Sequence, residues 1–230
     1  ISLTKNVAAI LISGVFMIIL FISIARTYTR RVNEPPKGIQ SLLEPLILFV
    51  RDDIAKNSIG EKHYERYTPF LLSIFFFILI NNLMGLIPIF PGGANVTGNI
   101  TVTMALALFT FTITTFTGNK NYWKHIFWMP GVPLPMKIIL APIELLGTLI
   151  KPFSLMIRLY ANITAGHIVL MSIIGLMFIF KNWIGSPLSF GLAFALSLLE
   201  LLVAALQAYI FTMLSALYFG SAVEEHDDHH

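Results

Sequence analysis

The apolar residues of this chain come in long runs rather than in short alternating blocks. Residues 6–26 form the first run, closed by Arg26, Arg30 and Arg31. A hydrocarbon core of about 30 Å needs roughly 20 apolar residues per helical crossing, which predicts a spanning helix ending on a positively charged side. Between Tyr67 and Asn119 there is no Asp, Glu, Lys or Arg. Pro88, Pro91, Gly92 and Gly93 interrupt that stretch, and such a cluster marks a turn. The pattern therefore predicts two spanning helices, residues 69–90 and 100–118, forming a hairpin that turns on the outer side.

Two other segments read differently. Residues 38–58 mix Leu42, Leu43, Leu46, Ile47 and Val50 with Glu44, Arg51, Asp52, Asp53 and Lys56 at near-helical spacing, the pattern of an amphipathic helix lying in the membrane interface. Lys120 and Lys124 belong to an inside loop, as does His125, which leads to the Pro- and Gly-rich stretch from Pro130 to Pro135. Beyond it, residues 134–181 predict a helix that, at about 1.5 Å per residue, is far longer than one perpendicular crossing. It must be broken, strongly tilted or both, with Pro142 and Pro152 as the bend sites. A short turn from Lys181 to Pro187 leads to a last long helix at 187–222, and residues 223–230 form a polar tail. No internal repeat stands out, so residues 1–230 read as one membrane domain. The fold class is an all-α integral membrane protein: spanning helices, an interfacial amphipathic helix and a long, tilted, membrane-embedded helical hairpin.

Composition agrees. The 230 residues are 56% hydrophobic and 12% charged, against roughly 25% charged in a soluble domain. The net charge of +3 does not point to nucleic acid, because the basic residues concentrate between Arg26 and Arg66, as the positive-inside rule expects of a cytoplasmic loop. The absence of cysteine excludes disulfides and thiolate metal sites. The chain opens on Ile1 rather than Met, which fits a processed form or a fragment. No G-x-x-x-x-G-K-[ST] phosphate loop occurs, so no nucleotide-catalytic site is expected here. The acidic, histidine-rich tail lacks the spacing of a closed metal site and reads as a solvated end. Neither a cofactor nor a metal is expected.

Candidate chemistry lies in charges placed where the bilayer penalises them. Arg158 is the only charged residue between Lys151 and Lys181, and Glu200 the only one between Lys181 and Glu224. Intramembrane ionisable groups face a bundle interior or a water cavity and mark ion pathways. Glu144, Lys151 and Arg158 recur every seventh residue, hence on nearly one helical face, with Asn162 one turn beyond. His167 lies about 13 Å past Arg158 along the axis and points to roughly the opposite side. Glu200 and Gln207 share a face of the last helix about 10 Å apart. Antiparallel pairing of the two long helices would bring Gln207 near Arg158 and Glu200 near His167. Histidine beside a carboxylate suits proton relay, since its pKa of about 6.5 allows exchange at physiological pH. Arginine stays charged and acts as a fixed barrier to cations, so the path cannot run straight through. It implies two half-channels joined by something that moves. Read from residues alone, the pattern also fits a self-contained ion channel or secondary transporter gated by Arg158 and Glu200. It fits equally a structural subunit whose polar residues bind helices together.

The stretches Leu155-Met-Ile-Arg-Leu-Tyr-Ala-Asn-Ile-Thr-Ala-Gly-His167 and Leu206-Gln-Ala-Tyr-Ile-Phe211 closely resemble the two signature segments of subunit a of F-type ATP synthases. The likeness continues, less distinctively, over Ile80 to Pro88, Asn99 to Leu106 and Pro142 to Pro152. The resemblance implies that the long hairpin faces the rotating c-ring. It makes Arg158 the essential stator arginine opposite the ring's lipid-embedded carboxylate, with Gln207 as its neighbour. His167 and Glu200, with Asn82, would line the outer half-channel; some bacterial members carry the Glu and His in the opposite order. Glu144 and Ser154, with Asn162 near the arginine, would line the inner one, with Lys151 a weaker addition to that face. Gly85 stands where some members have Asp, which leaves the outer entrance less defined. The implied partners are the c-ring subunits, peripheral-stalk subunit b, the remaining ATP synthase subunits and membrane lipid. A bacterial plasma membrane is the favoured location, a mitochondrial inner membrane the alternative.

Overall fold

The computed structural model describes residues 5–86, 99–128, 131–179 and 185–223. The expected outer turn around Pro88 to Gly93, most of the turn after Lys181 and the polar tail fall outside them. Every regular element among the described residues is helical. Five of these helices contain spans long and apolar enough to cross a membrane.

The first helix, α1, runs Lys5–Arg30, one turn beyond the apolar run, so that Arg26 and Arg30 sit on its last turns. It packs mainly on one neighbour, where Phe21 meets Phe76 edge-on at 5.1 Å. Most of its apolar surface remains exposed, as suits a helix solvated by lipid.

The interfacial segment begins as α2, Ile39–Leu48. Pro45 lies inside it, and a proline in a helix interior removes one hydrogen bond and crowds the carbonyl four residues back. Shortly after Pro45 the chain becomes π-helical over Phe49–Lys56 before a last α turn, α3, Asn57–Ile59. The wider turns alter which residues are buried. Val50, Ile54, Ala55 and Ile59 form the docking stripe, while Ile39 and Leu42 stay exposed. On the outward side Arg51 donates to Asp52 at 2.9 Å, and Lys56 pairs with Glu61 at 3.4 Å. The Arg51 guanidinium holds the Asp52 carboxyl below its ordinary pKa.

The helix α4, Tyr64–Leu86, carries Tyr67, Leu71, Ile74, Ile78, Asn81 and Gly85 at alternating spacings of four and three, all buried. This is the seam pattern of one helix packed along another. The partner is α8, Gly185–Val223. Tyr67 stacks on Phe219 at 4.8 Å, and the Asn82 amide donates to the Ala204 carbonyl at 3.1 Å. Both pairs fit one antiparallel register, in which each residue forward on α4 meets one residue back on α8. At the end of this seam Gly220 lies against the Ser58 carbonyl so closely that a Cβ there would collide with backbone. That glycine lets the interfacial segment seat on α8.

The next helix, α5, Ile100–Thr117, starts at Asn99, whose side chain accepts from the Thr101 N–H at 2.9 Å. It buries a stripe of small residues, Thr103, Ala107, Thr110 and Thr114, against α8 and the long helix α7, Leu134–Ile179. The buried hydroxyls return to their own helix, Thr110 to the Leu106 carbonyl and Thr114 to the Thr110 carbonyl. Thr110 and Ser215 hydroxyls also meet across the interface at 3.4 Å. Small residues with such bonds are how membrane helices pack closely without a hydrophobic driving force.

Residues 120–127, expected as loop, form a helix, α6, Lys120–Phe127. Tyr122 and Ile126, one turn apart, are buried, and this pair anchors an otherwise polar helix. Asn119 ties it to α8: its backbone N–H donates to Ala222 at 2.9 Å and its side chain to Val223 at 3.2 Å. It thereby satisfies two carbonyls that end a helix without intrahelical partners. Burial pushes the Tyr122 phenol pKa up, with the Thr148 hydroxyl pulling it down.

Candidate functional site

The two longest helices, α7 and α8, hold the candidate residues. Pro142 and Pro152 both lie inside α7, and the helix runs through them for 46 residues in all, about 69 Å at the standard rise. A helix more than twice the bilayer core in length cannot cross upright, so a continuous α7 has to lie obliquely.

Two contacts fix how α7 and α8 run past each other. A methyl placed on Gly166 would lie 3.7 Å from Glu200 Oε1. Farther along, Lys151 Nζ sits 5.4 Å from the centre of the Tyr218 ring. The helices are therefore antiparallel, with Glu200 level with Gly166 and His167, and Arg158 level with the turns just past Gln207. The His167 and Asn162 side chains lie outside the described residues; their backbone positions are helical.

Arg158 is exposed and makes no ion pair within 4.0 Å among the described residues. Around it α7 exposes large apolar residues, including Ile150, Phe153 and Ile157. Gln207, at the neighbouring level, is 2% exposed and belongs to the buried stripe of α8. The two share a level but not an environment. Glu200 is half-buried and stands about two turns of α7 away from the arginine.

Toward the other end of α7, Glu144, Ser154 and Lys151 are half-buried. The Glu144 carbonyl accepts from Thr148 at 3.0 Å, and its carboxylate acts electrostatically on Lys151. A cavity of about 10 Å³ opens beside Lys151, walled by Thr110, Thr114, Tyr122, Thr148 and Tyr218 among others. It has room for about one water.

Asn82, from α4, is 6% exposed. The hydrogen bond its side-chain amide donates to the Ala204 carbonyl places it between the levels of Glu200 and Gln207. The candidates thus gather at two levels of the α7–α8 pair, the Glu200 level reinforced by α4. Sequence reasoning passed over Asn81, Ser215, Tyr218 and the α5 threonines. For the threonines the signal was present, since 103, 107, 110 and 114 follow a helical stripe. For Tyr218 it was not, because only the register with Lys151 distinguishes it from other aromatics.

Comparison with known proteins fits this geometry. The model of the family described as ATP synthase A chain matches residues 7–220. The chain is 46% identical over 235 residues to ATP synthase subunit a of Chloroherpeton thalassium, covering 100% of this chain and 68% of that protein. It is 44% identical to ATP synthase subunit a 2 of Chlorobaculum tepidum, covering 100% of this chain and 65% of the relative. It is 44% identical to ATP synthase subunit a of Myxococcus xanthus, covering 99% and 76%. The chain spans about two thirds of the length of the first two relatives and about three quarters of the third. With a match over nearly its whole length and five helices suited to a bilayer, this chain is a multi-pass membrane protein that belongs to the ATP synthase A chain family.

Proposed function

We propose that this chain is the stationary, proton-conducting subunit of a rotary F-type ATP synthase, with two offset half-channels that load and unload the carboxylates of a c-ring. Family membership makes it a membrane subunit of the proton-translocating F0 sector; the half-channels and their coupling to a ring are our reading. The observation that carries it is the contrast between two charges. Arg158 is exposed and without an ion pair among the described residues, whereas Glu200 is half-buried against Gly166, one residue from His167.

An exposed guanidinium deep in a spanning helix is too costly to leave against lipid tails. A carboxylate supplied by a neighbouring subunit answers that cost. As such a carboxylate approaches, the positive charge lowers its pKa and favours release of its proton. Release goes to the inner half-channel, along Glu144, Ser154 and Asn162. On the other side Glu200 and His167, with Asn82 and Gln207, deliver a proton from the outer half-channel and neutralise the carboxylate, which then enters lipid as the ring turns. Arg158, permanently charged, keeps protons from passing directly between the two paths. The membrane potential supplies about 2.3 kcal/mol per charge per 100 mV to bias the rotation. The partners this reading requires are the c-ring subunits and the peripheral-stalk subunit b. The similar proteins are bacterial, which favours a bacterial plasma membrane.

A ring-independent channel gated by an Arg158–Glu200 pair has less to rest on, since no such pair occurs within 4.0 Å and the two stand at different levels. The test is ATP-driven proton pumping and passive proton leak in vesicles holding the assembled complex with Arg158→Ala. Coupled pumping is expected to vanish, with passive leak raised as the barrier is removed. Normal coupled pumping by an assembled variant would overturn the assignment.

A further inference from the structure

We propose that Asn81 holds a water molecule inside the α4–α8 seam, and that this water continues the outer proton path from the level of Glu200 toward Gln207. The inference rests on the half-channel reading above and adds a positioning residue to it.

Asn81 is 1% exposed. Its Nδ2 donates to the Phe77 carbonyl at 2.8 Å, one turn back on its own helix. That bond fixes the amide orientation, because a flipped amide would set two oxygens against each other. With Nδ2 turned back along α4, Oδ1 is directed away from that carbonyl, and it is buried without a hydrogen-bond partner. Leaving a buried acceptor orphaned is costly, and ordered water is the usual remedy for such a group.

The register explains why protein does not supply the donor. Tyr67 against Phe219 and Asn82 against Ala204 place Asn81 opposite the turn Ala204-Ala205-Leu206-Gln207-Ala208. Of these, Ala205 and Leu206 are exposed, and the buried residues are Ala204, Gln207 and Ala208, two of them alanines without a polar side-chain atom. Small side chains facing an unsatisfied oxygen suit one water, which needs two to four polar partners; the Asn81 carbonyl is one, with Asn82 and Gln207 on adjoining positions. Ala204 is about 6 Å along α8 from Glu200 and about 4.5 Å from Gln207. A water at this level therefore lies between the relay carboxylate and the turn nearest Arg158. A purely apolar residue would have packed the seam at least as well, as Ile78 and Ile74 do one and two turns away.

The chain contains no cysteine, so the silver response of a single introduced thiol is read against the unmodified assembled complex treated in the same way. The assembled complex carrying Asn81→Cys, in vesicles, is treated with silver ion, which reaches thiols through water, and ATP-driven pumping is followed. Asn81→Leu is measured alongside. The inference predicts that silver abolishes more than half of the pumping by Asn81→Cys, and that Asn81→Leu assembles normally but pumps several-fold more slowly. Pumping by Asn81→Cys unaffected by silver, or full pumping by Asn81→Leu, would overturn it. If Asn81→Cys does not pump before silver is added, Asn81→Ser against Asn81→Leu decides. Retention by Ser and loss by Leu supports the water site, and equal behaviour of the two overturns it. Asn82→Cys separates this inference from the reading beneath it. Silver sensitivity at residue 82 but not 81 removes the Asn81 water and leaves the outer path standing, whereas insensitivity at both removes the path from this face of α4.

Discussion

Two apolar helical segments of similar length treat their surroundings in opposite ways. Much of α4 is buried within the chain, while the Leu134–Arg158 part of α7 is hardly buried at all. Composition does not separate them, since the two are almost equally apolar. What separates them is where polar groups sit. The polar residues near the C-terminal end of α4, Asn81 and Asn82, are buried within the chain. The first half of α7 ends in an exposed arginine surrounded by exposed apolar side chains. The α4–α8 seam is an interface within the chain, whereas the Arg158 face of α7 is left uncovered by it.

That difference makes substitutions on the two sides read out differently. Phe219 is fully buried and touches both Tyr67 and Phe70. Phe219→Ala is expected to destabilise the assembled complex by about 3 kcal/mol, at the lower end for a large core truncation because lipid tails are as apolar as the protein interior. A lowered unfolding midpoint in detergent measures it. Gly220→Ala is expected to cost about 2 kcal/mol by overpacking, since the new Cβ meets the Ser58 backbone rather than a yielding side chain. Its signature is loss of protection of Val50 to Ile59 from proteolysis. At the small end, Arg51→Ala removes a solvent-exposed ion pair, a kind that contributes little to stability. Because Arg51 lowers the Asp52 pKa, the pair contributes above the ordinary carboxylate range and its contribution is lost as pH falls through the lowered value. The unfolding midpoints of Arg51→Ala and the unmodified complex are therefore expected to differ slightly at neutral pH and to converge in acid.

Much of this was legible in the sequence because a bilayer imposes length and polarity on its solutes. The spanning segments follow from runs of apolar residues, and Arg158 and Glu200 draw notice because charge in such runs is costly. Facing directions were harder. Asn81 and Asn82 are adjacent and chemically identical, yet one bonds to α8 and the other keeps an orphaned oxygen; only the register between helices distinguishes them. The α6 helix escaped notice because two buried residues one turn apart, Tyr122 and Ile126, are too few to form a pattern. The π-helical stretch over Phe49–Lys56 changes which residues share a face, and helical spacing read at 3.6 residues per turn does not express it.

The uncovered face of α7 is where the functional reading is most exposed to test. Ala161 lies one turn beyond Arg158 and is exposed, and in this cysteine-free chain Ala161→Cys gives one reactive site. In the assembled complex it is paired with single cysteines flanking the membrane carboxylate of the c subunit, and disulfide formation is followed under mild oxidant. The reading predicts a cross-linked product of this chain with one c subunit, together with arrest of ATP-driven pumping that reductant reverses. An assembled, pumping complex that gives no such product from any flanking position would contradict the assignment of this face to the ring.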